Sequence, residues 1–188
     1  MAVFRMLAAL TMITAALLAK DRGSAPQHSV TVCMNPGANA AAVFQAEGVA
    51  NQILGPADVK MRWRDDVRLC DSPVPGIVIE LMLNTPLDFH PGAMAYALPY
   101  AGTAYTGTTI VVFYDRIQAV RLPPLLAHVL VHEITHVLEG IADHSSAGIM
   151  KAHWTPRDYE DMSCRTLKFT EEDLFLIREG LDFREGRK

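Results

Sequence analysis

Two histidines and a glutamate at fixed spacing are the residues of this chain best suited to chemistry. The stretch HVLVHEITHVLEGIADHSSAGIM, residues 128–150, contains His132, Glu133 and His136. On a helix, residues four apart lie on the same face, so the two imidazoles can bind one metal ion. Glu133 lies about 100° around the helix from His132, where its carboxylate can reach a zinc-bound water without ligating the metal. The pattern predicts a zinc site with Glu133 as general base.

A third ligand has to come from beyond this helix, because a catalytic zinc ion has three protein ligands and keeps a fourth position for water. The candidates are Glu139, Asp143, His144 and the more distant Glu160. Glu139 follows His136 by three residues on the same helix and would crowd the site. Gly140 permits a sharp reversal of the chain, which would bring His144 back to the metal. The sequence favours His144, and Asp143 would then orient a ligand.

His128 lies on the same helix face as His132 but is a poor candidate for a ligand. It precedes His136 by eight residues, about 12 Å along the helix axis at a rise of 1.5 Å per residue. Two ligands of one zinc ion, each about 2.1 Å from it, cannot be that far apart. His128 is predicted to pack or to form a surface hydrogen bond. The alternative is that it orients one of the metal ligands.

Hydrophobic periodicity predicts the elements that carry these residues. Strands are predicted over residues 30–34, 59–63, 77–83 and 108–117, with a short edge strand within 84–107. Helices are predicted over 38–54, from Pro123 to about Glu139 and from Thr170 to about Gly180. This order predicts an α+β fold: a mixed, mostly parallel twisted sheet of about five strands with an antiparallel edge strand, an active-site helix and a C-terminal helix.

The composition fits one globular domain, predicted over residues 30–188. Half of the 188 residues are hydrophobic, and the net charge of −4 gives no reason to expect a nucleic-acid partner. Arg5 precedes an apolar run that ends at Ala19 and is shorter than the roughly 20 residues of a membrane-spanning helix. Residues 1–19 are therefore predicted to be a signal peptide, with an uncleaved anchor as the alternative, and residues 20–29 a leader. A secreted or periplasmic protein is expected, without a stable membrane partner unless the first segment remains uncleaved.

Export would permit one of the three cysteines to pair with another. Cys33 and Cys70 each follow a predicted strand, so a bridge between them is favoured and Cys164 would remain unpaired. The alternative is three buried thiols that act as small hydrophobic residues.

The stretch around the two histidines resembles the metzincin clan of zinc metallopeptidases. That clan shares His-Glu-x-x-His-x-x-Gly-x-x-His and a methionine-containing turn further along the chain. The matching residues are His132, Glu133, His136, Gly140, His144 and Met150. The glycine comes four residues after the second histidine and the third histidine four residues after the glycine, where the clan has three in each case, so the loop is two residues longer than usual. The pattern is thus similar to a divergent, minimal group of secreted bacterial proteins.

This resemblance implies a zinc-dependent endopeptidase in which His132, His136 and His144 bind Zn²⁺. Glu133 would activate the zinc-bound water, and Met150 would form a hydrophobic floor below the ion. The resemblance also implies a peptide substrate bound as an extended strand along the sheet edge within residues 93–105. Two alternatives remain open: a secreted zinc-binding or interaction domain without peptidase activity, and a zincin with Glu160 as the third ligand.

Aromatic residues near the predicted edge and turn are further candidates for the cleft. Tyr96, Tyr100 and Tyr105 would line it, or would face solvent from a loop. Trp154 is expected to pack beneath the methionine turn. Tyr159 comes nine residues after Met150, too far for the tyrosine that many metzincins place directly after that methionine.

Overall fold

Five strands form one sheet in the computed structural model, which describes residues 28–70, 76–97 and 109–187. They are β1 (His28–Met34), β2 (Val59–Arg64), β3 (Ile77–Met82), β4 (Ala95–Ala97) and β5 (Thr109–Phe113). The sheet order is β2-β1-β3-β5-β4, and every neighbouring pair is parallel except β4 and β5. The predicted α+β class, the mostly parallel sheet and the antiparallel edge strand are therefore confirmed.

The described residues also form five α-helices: α1 (Ala40–Leu54), α2 (Tyr114–Val120), α3 (Leu125–Glu139), α4 (Pro156–Cys164) and α5 (Glu171–Arg184). The central one is α3, which contacts α1, α5 and the strands β4 and β5. Leu130, Ile134 and Leu138 are completely buried along it. The motif helix is thus a core element, and burial on nearly all sides fixes its position against the sheet edge.

The prediction of one strand over residues 108–117 is wrong in its second half. The strand β5 ends at Phe113, and α2 begins at Tyr114. Tyr114 and Ile117 are both buried, three residues apart on one helix face. A short run of β-branched and aromatic residues does not by itself distinguish a buried strand from a buried helix turn, so the boundary between β5 and α2 has no clear signal in the sequence.

Helix α4 was not predicted, and α5 is longer than predicted. Thr155 caps α4 through a reciprocal bond with Asp158, yet only Met162 is buried, so the helix has almost no apolar face. Thr170 caps α5 through a reciprocal bond with Asp173, at the predicted start of the helix, but α5 continues past Gly180 to Arg184. A Cβ atom at Gly180 would lie 1.9 Å from the carbonyl oxygen of Leu138. This glycine permits close helix packing instead of ending the helix.

A disulfide joins Cys33 in β1 to Cys70, which confirms the predicted pairing; Cys164 is unpaired and exposed. β1 begins at His28, so the last two residues of the predicted leader belong to the sheet. The predicted signal peptide, residues 1–19, and the rest of the leader lie outside the described residues. Within the described ranges, no helix has the length and apolar character needed to cross a membrane.

Candidate metal centre

The structure brings together His132, His136 and His144, one nitrogen from each lying within 4.8 Å of the others. The first two are separated by one turn of α3, which ends at Gly140 with a left-handed φ of 70°. The backbone amide of Gly140 donates to the carbonyl of His136, 2.9 Å away. This turn redirects the chain, as predicted, and the following loop places the exposed His144 ring 4.8 Å from the ring of His136 and 5.2 Å from that of His132.

Backbone carbonyls orient the two helical imidazoles. The Nδ1 atom of His132 donates to the carbonyl oxygen of Ile149 at 2.9 Å, and Nδ1 of His136 donates to that of Ile141 at 3.1 Å. A carbonyl oxygen can only accept a hydrogen bond, so in each ring the proton belongs on Nδ1. The Nε2 lone pairs are then free. This is the arrangement by which a protein prepares histidine for metal binding.

The two free Nε2 atoms lie only 3.2 Å apart. Burial lowers the pKa of His132, and burial together with the neighbouring imidazoles lowers that of His136 to about 4. Both rings are therefore neutral near pH 7, and two lone pairs meet without a proton between them. Two nitrogens that ligate one tetrahedral Zn²⁺ at about 2.1 Å are separated by roughly 3.4 Å. The donor set and its spacing thus fit a zinc ion.

The loop after α3 is held by its own backbone. The amide of Ser145 donates to the carbonyl of Met150 at 2.9 Å, and the amide of Ile149 donates to the carbonyl of Lys168 at 2.9 Å. Gly148 has a φ of 73°, and a Cβ atom there would lie 2.2 Å from the Lys168 carbonyl oxygen. Met150 is buried next to Ile149, whose carbonyl orients His132. This turn therefore determines the orientation of a candidate ligand.

Glu133 is buried beside the histidines, with 9% of its surface exposed. Burial raises the pKa of its carboxyl group to about 7, although the backbone amide of Ala97 donates to it and opposes part of the rise. A carboxyl group with a pKa close to the working pH can both accept and release a proton. The contact with Ala97 also places this carboxyl group against β4, the edge strand.

His128 is fully buried and does not join the cluster. Its Nδ1 atom donates to the carbonyl of Pro124 at 2.8 Å, and its Nε2 atom accepts from the amide of Leu167 at 3.1 Å. Both ring nitrogens are therefore used in hydrogen bonds. His128 packs in the fold, as predicted. Its hydrogen-bond partners are buried, whereas the prediction placed such a bond at the surface.

A cavity of about 460 Å³ lies in front of the histidines. Glu133, His132 and His144 line one side, and residues 91–95 before and within β4 line another. Trp154 and Tyr159 close the far side, together with Lys151 and His153. Tyr159 and His153 were not predicted to lie here. Tyr159 lies on α4, the helix that was not predicted. The capping box at Thr155 is the sequence signal that could have indicated this helix.

Several candidates from the sequence lie elsewhere. Asp143 and Glu160 are exposed, and neither belongs to the histidine cluster. Tyr96 stacks on His90 at 4.8 Å and does not appear among the described residues that line the cavity. Tyr100 and Tyr105 fall outside the described residues. Trp154 packs against His132 at 5.7 Å but also lines the cavity, in a more open position than predicted.

Glu139 is not part of the cluster either. Burial is the main cause that raises the pKa of its carboxyl group to about 8, and the nearby Asp173 and Glu172 contribute to this rise. Its Oε1 atom has no hydrogen-bond partner among the described residues.

Comparison with known proteins adds no family to this geometry. No protein-family model matches the chain, and no curated protein matches it significantly.

Proposed function

We propose that this protein is a zinc-dependent endopeptidase with a metzincin-like fold and site. One observation carries the proposal: three imidazoles converge beside the buried carboxyl group of Glu133, which itself contacts an edge strand. A structural zinc site needs neither an adjacent carboxyl group nor an open cavity. The presence of both favours hydrolysis over simple metal storage.

His132, His136 and His144 would hold the ion, with the first two rings oriented by the Ile149 and Ile141 carbonyls. A zinc ion bound there supplies Lewis acidity, which activates water and polarises the carbonyl group under attack. Glu133 accepts the proton of the attacking water and later donates it to the departing amine. Glu133 is buried and directly follows His132 in the chain, and both features keep its carboxyl group beside the reacting atoms.

The substrate we propose is a peptide in extended conformation. β4 is an edge strand, antiparallel to β5, and residues 93–95 of this region line the cavity. An extended peptide can add to such an edge by main-chain hydrogen bonds. Because the backbone amide of Ala97 donates to Glu133, the outer side of β4 and the proposed base belong to one surface.

We also propose export from the cytoplasm, as expected for a signal peptide over residues 1–19. The Cys33–Cys70 disulfide supports this proposal, because disulfides persist mainly in oxidising compartments.

The test is cleavage of a mixed peptide library by the purified protein, with and without a chelator and after zinc is restored. Glu133→Gln should keep one zinc per chain and lose about 100-fold to 10,000-fold in rate, the usual contribution of a general base. Glu160→Gln, which changes an exposed glutamate on α4, is the matched control and should behave like the unaltered protein.

Other outcomes identify the alternatives. Stoichiometric zinc without any cleavage would indicate a zinc-binding domain that lacks peptidase activity. Loss of zinc in Glu160→Gln would instead make Glu160 the third ligand. Unchanged cleavage by Glu133→Gln would refute Glu133 as the base.

A further inference from the structure

The segment that leads into β4 forms one wall of the cavity without being a helix or a strand. Residues 83–94 connect β3 to β4, and Pro91, Gly92, Ala93 and Met94 line the cavity. Two residues of this segment have left-handed backbones, His90 with a φ of 46° and Gly92 with a φ of 81°. A histidine in this region costs free energy, so other contacts must hold the segment in place.

Arg116 supplies those contacts from the first turn of α2. Its Nη1 atom donates to the carbonyls of His90 and Ala93, at 2.7 and 2.8 Å. Its Nη2 atom donates to the carbonyls of Phe89 and Pro86, at 2.6 and 3.2 Å. One guanidinium group thus binds four carbonyl oxygens of a segment that precedes it by 23 to 30 residues.

Neighbouring side chains hold the guanidinium group and the segment together. The Arg116 guanidinium lies over the ring of Phe113, 4.5 Å from its centroid, which adds a cation–π contact. The His90 ring packs against both Tyr96 of β4 and Phe113 of β5, and these two rings also contact each other. At the start of the segment, the Asp115 carboxylate accepts from the amide and the hydroxyl of Thr85, at 2.9 and 2.7 Å.

The last bond of this set lies at the cavity wall itself. Ala93 lines the cavity, and its carbonyl is bound by Arg116. The next residue, Met94, accepts from the amide of Phe113 at 2.8 Å, where the pairing with β5 starts. Arg116 therefore fixes the backbone at the point where the irregular segment becomes the edge strand.

We propose that Arg116 is a positioning residue for the substrate: it holds the wall at residues 91–95 in the shape that an extended peptide requires. The inference rests on the proposed peptidase function. The described contacts of Arg116 include none of the three clustered histidines and not Glu133. Arg116 therefore acts through the wall and not on the reacting atoms. Its loss should weaken peptide binding and leave the metal and the chemical step in place.

Arg116→Lys is the sharpest variant, because it keeps the positive charge and the aliphatic stem. An ammonium group cannot reach four carbonyls in the planar arrangement that a guanidinium group matches. Arg165→Lys is the matched control, because Arg165 is exposed and its guanidinium group pairs, within the part of the chain that the structure describes, with Asp161 one turn away.

The experiment measures kcat and KM for the best-cleaved library peptide, zinc content, and hydrogen exchange of backbone amides. For Arg116→Lys we expect KM to rise about tenfold or more, as the loss of charge-assisted bonds implies, with kcat within about threefold of the unaltered protein. Zinc should remain at one per chain. Amides of residues 89–97 should exchange about tenfold faster or more while those of α3 do not change. Arg165→Lys should alter none of these quantities.

An unchanged KM, or a fall in kcat with KM preserved, would overturn the inference while the peptidase function stands. If the unaltered protein cleaves no peptide, the proposed function fails and hydrogen exchange decides alone. Faster exchange confined to residues 89–97 then supports the role of Arg116 in holding the wall, and unchanged exchange refutes it. If Arg116→Lys does not fold, Thr85→Val, which removes one bond at the other end of the segment, replaces it with the same expected directions.

Discussion

His128 and His132 lie one turn apart on the same face of α3, yet their ring nitrogens meet different partners. Backbone groups of Pro124 and Leu167 use both nitrogens of His128. At His132, only Nδ1 meets a backbone group, the Ile149 carbonyl, and Nε2 faces His136. Of the α3 residues, Val129, His132 and Glu133 line the cavity, whereas His128 is fully buried.

The difference shows what separates a structural histidine from a candidate ligand on one helix. Both rings are anchored by a carbonyl, and burial lowers the pKa of both. What differs is the second nitrogen, which an amide occupies in His128 and which remains available in His132. The function of each histidine is therefore determined by the loop that approaches it, and not by helix position alone.

The largest expected effect concerns zinc affinity at His132. Zinc bound by protein ligands releases about 10–16 kcal/mol, so His132→Ala should weaken binding on the order of 1000-fold. His128→Ala should still bind one zinc per chain. Competition with a metal indicator dye measures both variants, and a comparable loss of zinc affinity in the two would remove the distinction between them.

The next effect concerns the loop residues beyond the helix. His144→Ala should weaken zinc binding about 100-fold, because an exposed ligand still contributes one of three bonds. Asp143→Ala changes the adjacent exposed residue and should cost less than about tenfold. The same dye competition ranks them, and the reverse order would make Asp143 the ligand.

A smaller effect, on stability, should distinguish His128 in the opposite direction. His128→Ala leaves a cavity and a buried Leu167 amide without its acceptor, which together should cost about 2–4 kcal/mol of unfolding free energy. His132→Ala in zinc-free protein should cost about 1 kcal/mol or less, because its ring borders the open cavity. Urea denaturation with a chelator present measures both. A larger loss for His132 would contradict the assignment.

The last effect depends on pH and concerns the end of α3, where the pKa of Glu139 is raised from its ordinary 4.5 to about 8. Between these values the folded protein retains a proton that the unfolded chain releases, so stability falls as pH rises through this window. Glu139→Gln removes that loss. Its unfolding free energy should exceed that of the unaltered protein at pH 8 and differ little at pH 4.5. Urea denaturation in zinc-free protein tests this, with Glu160→Gln as a control, and a gain that does not depend on pH would contradict it.

The predictable part of the structure is where local pattern and global packing agree. The motif helix combines an apolar repeat with Gly140 at its end, and the structure gives Leu125–Glu139. The return of His144 toward the helix also follows from that glycine. The exclusion of His128 needed only the helix rise.

The parts that escaped prediction depend on contacts between residues far apart in sequence. Nothing in the sequence near Arg116 indicates that its guanidinium group contacts four carbonyls of the preceding segment. The apolar run through Ile117 predicts a strand where the structure begins α2. The sequence predicts a helix end near Gly180, because glycine commonly follows a helix. The structure shows that a side chain at this position would collide with the Leu138 carbonyl of α3, a contact that the local sequence does not reveal. Helix α4 has too little apolar surface to produce a periodic signal.

The Ile149 carbonyl accepts from the indole nitrogen of Trp154 at 3.1 Å as well as from His132. One oxygen thus links the candidate ligand to an aromatic ring that emits light, and the chain has only one other tryptophan, Trp63, on β2. With Trp63→Phe, the fluorescence of Trp154 becomes an intrinsic optical probe of its surroundings. Binding of an ion at the histidines would then be followed in real time, without a dye or a label.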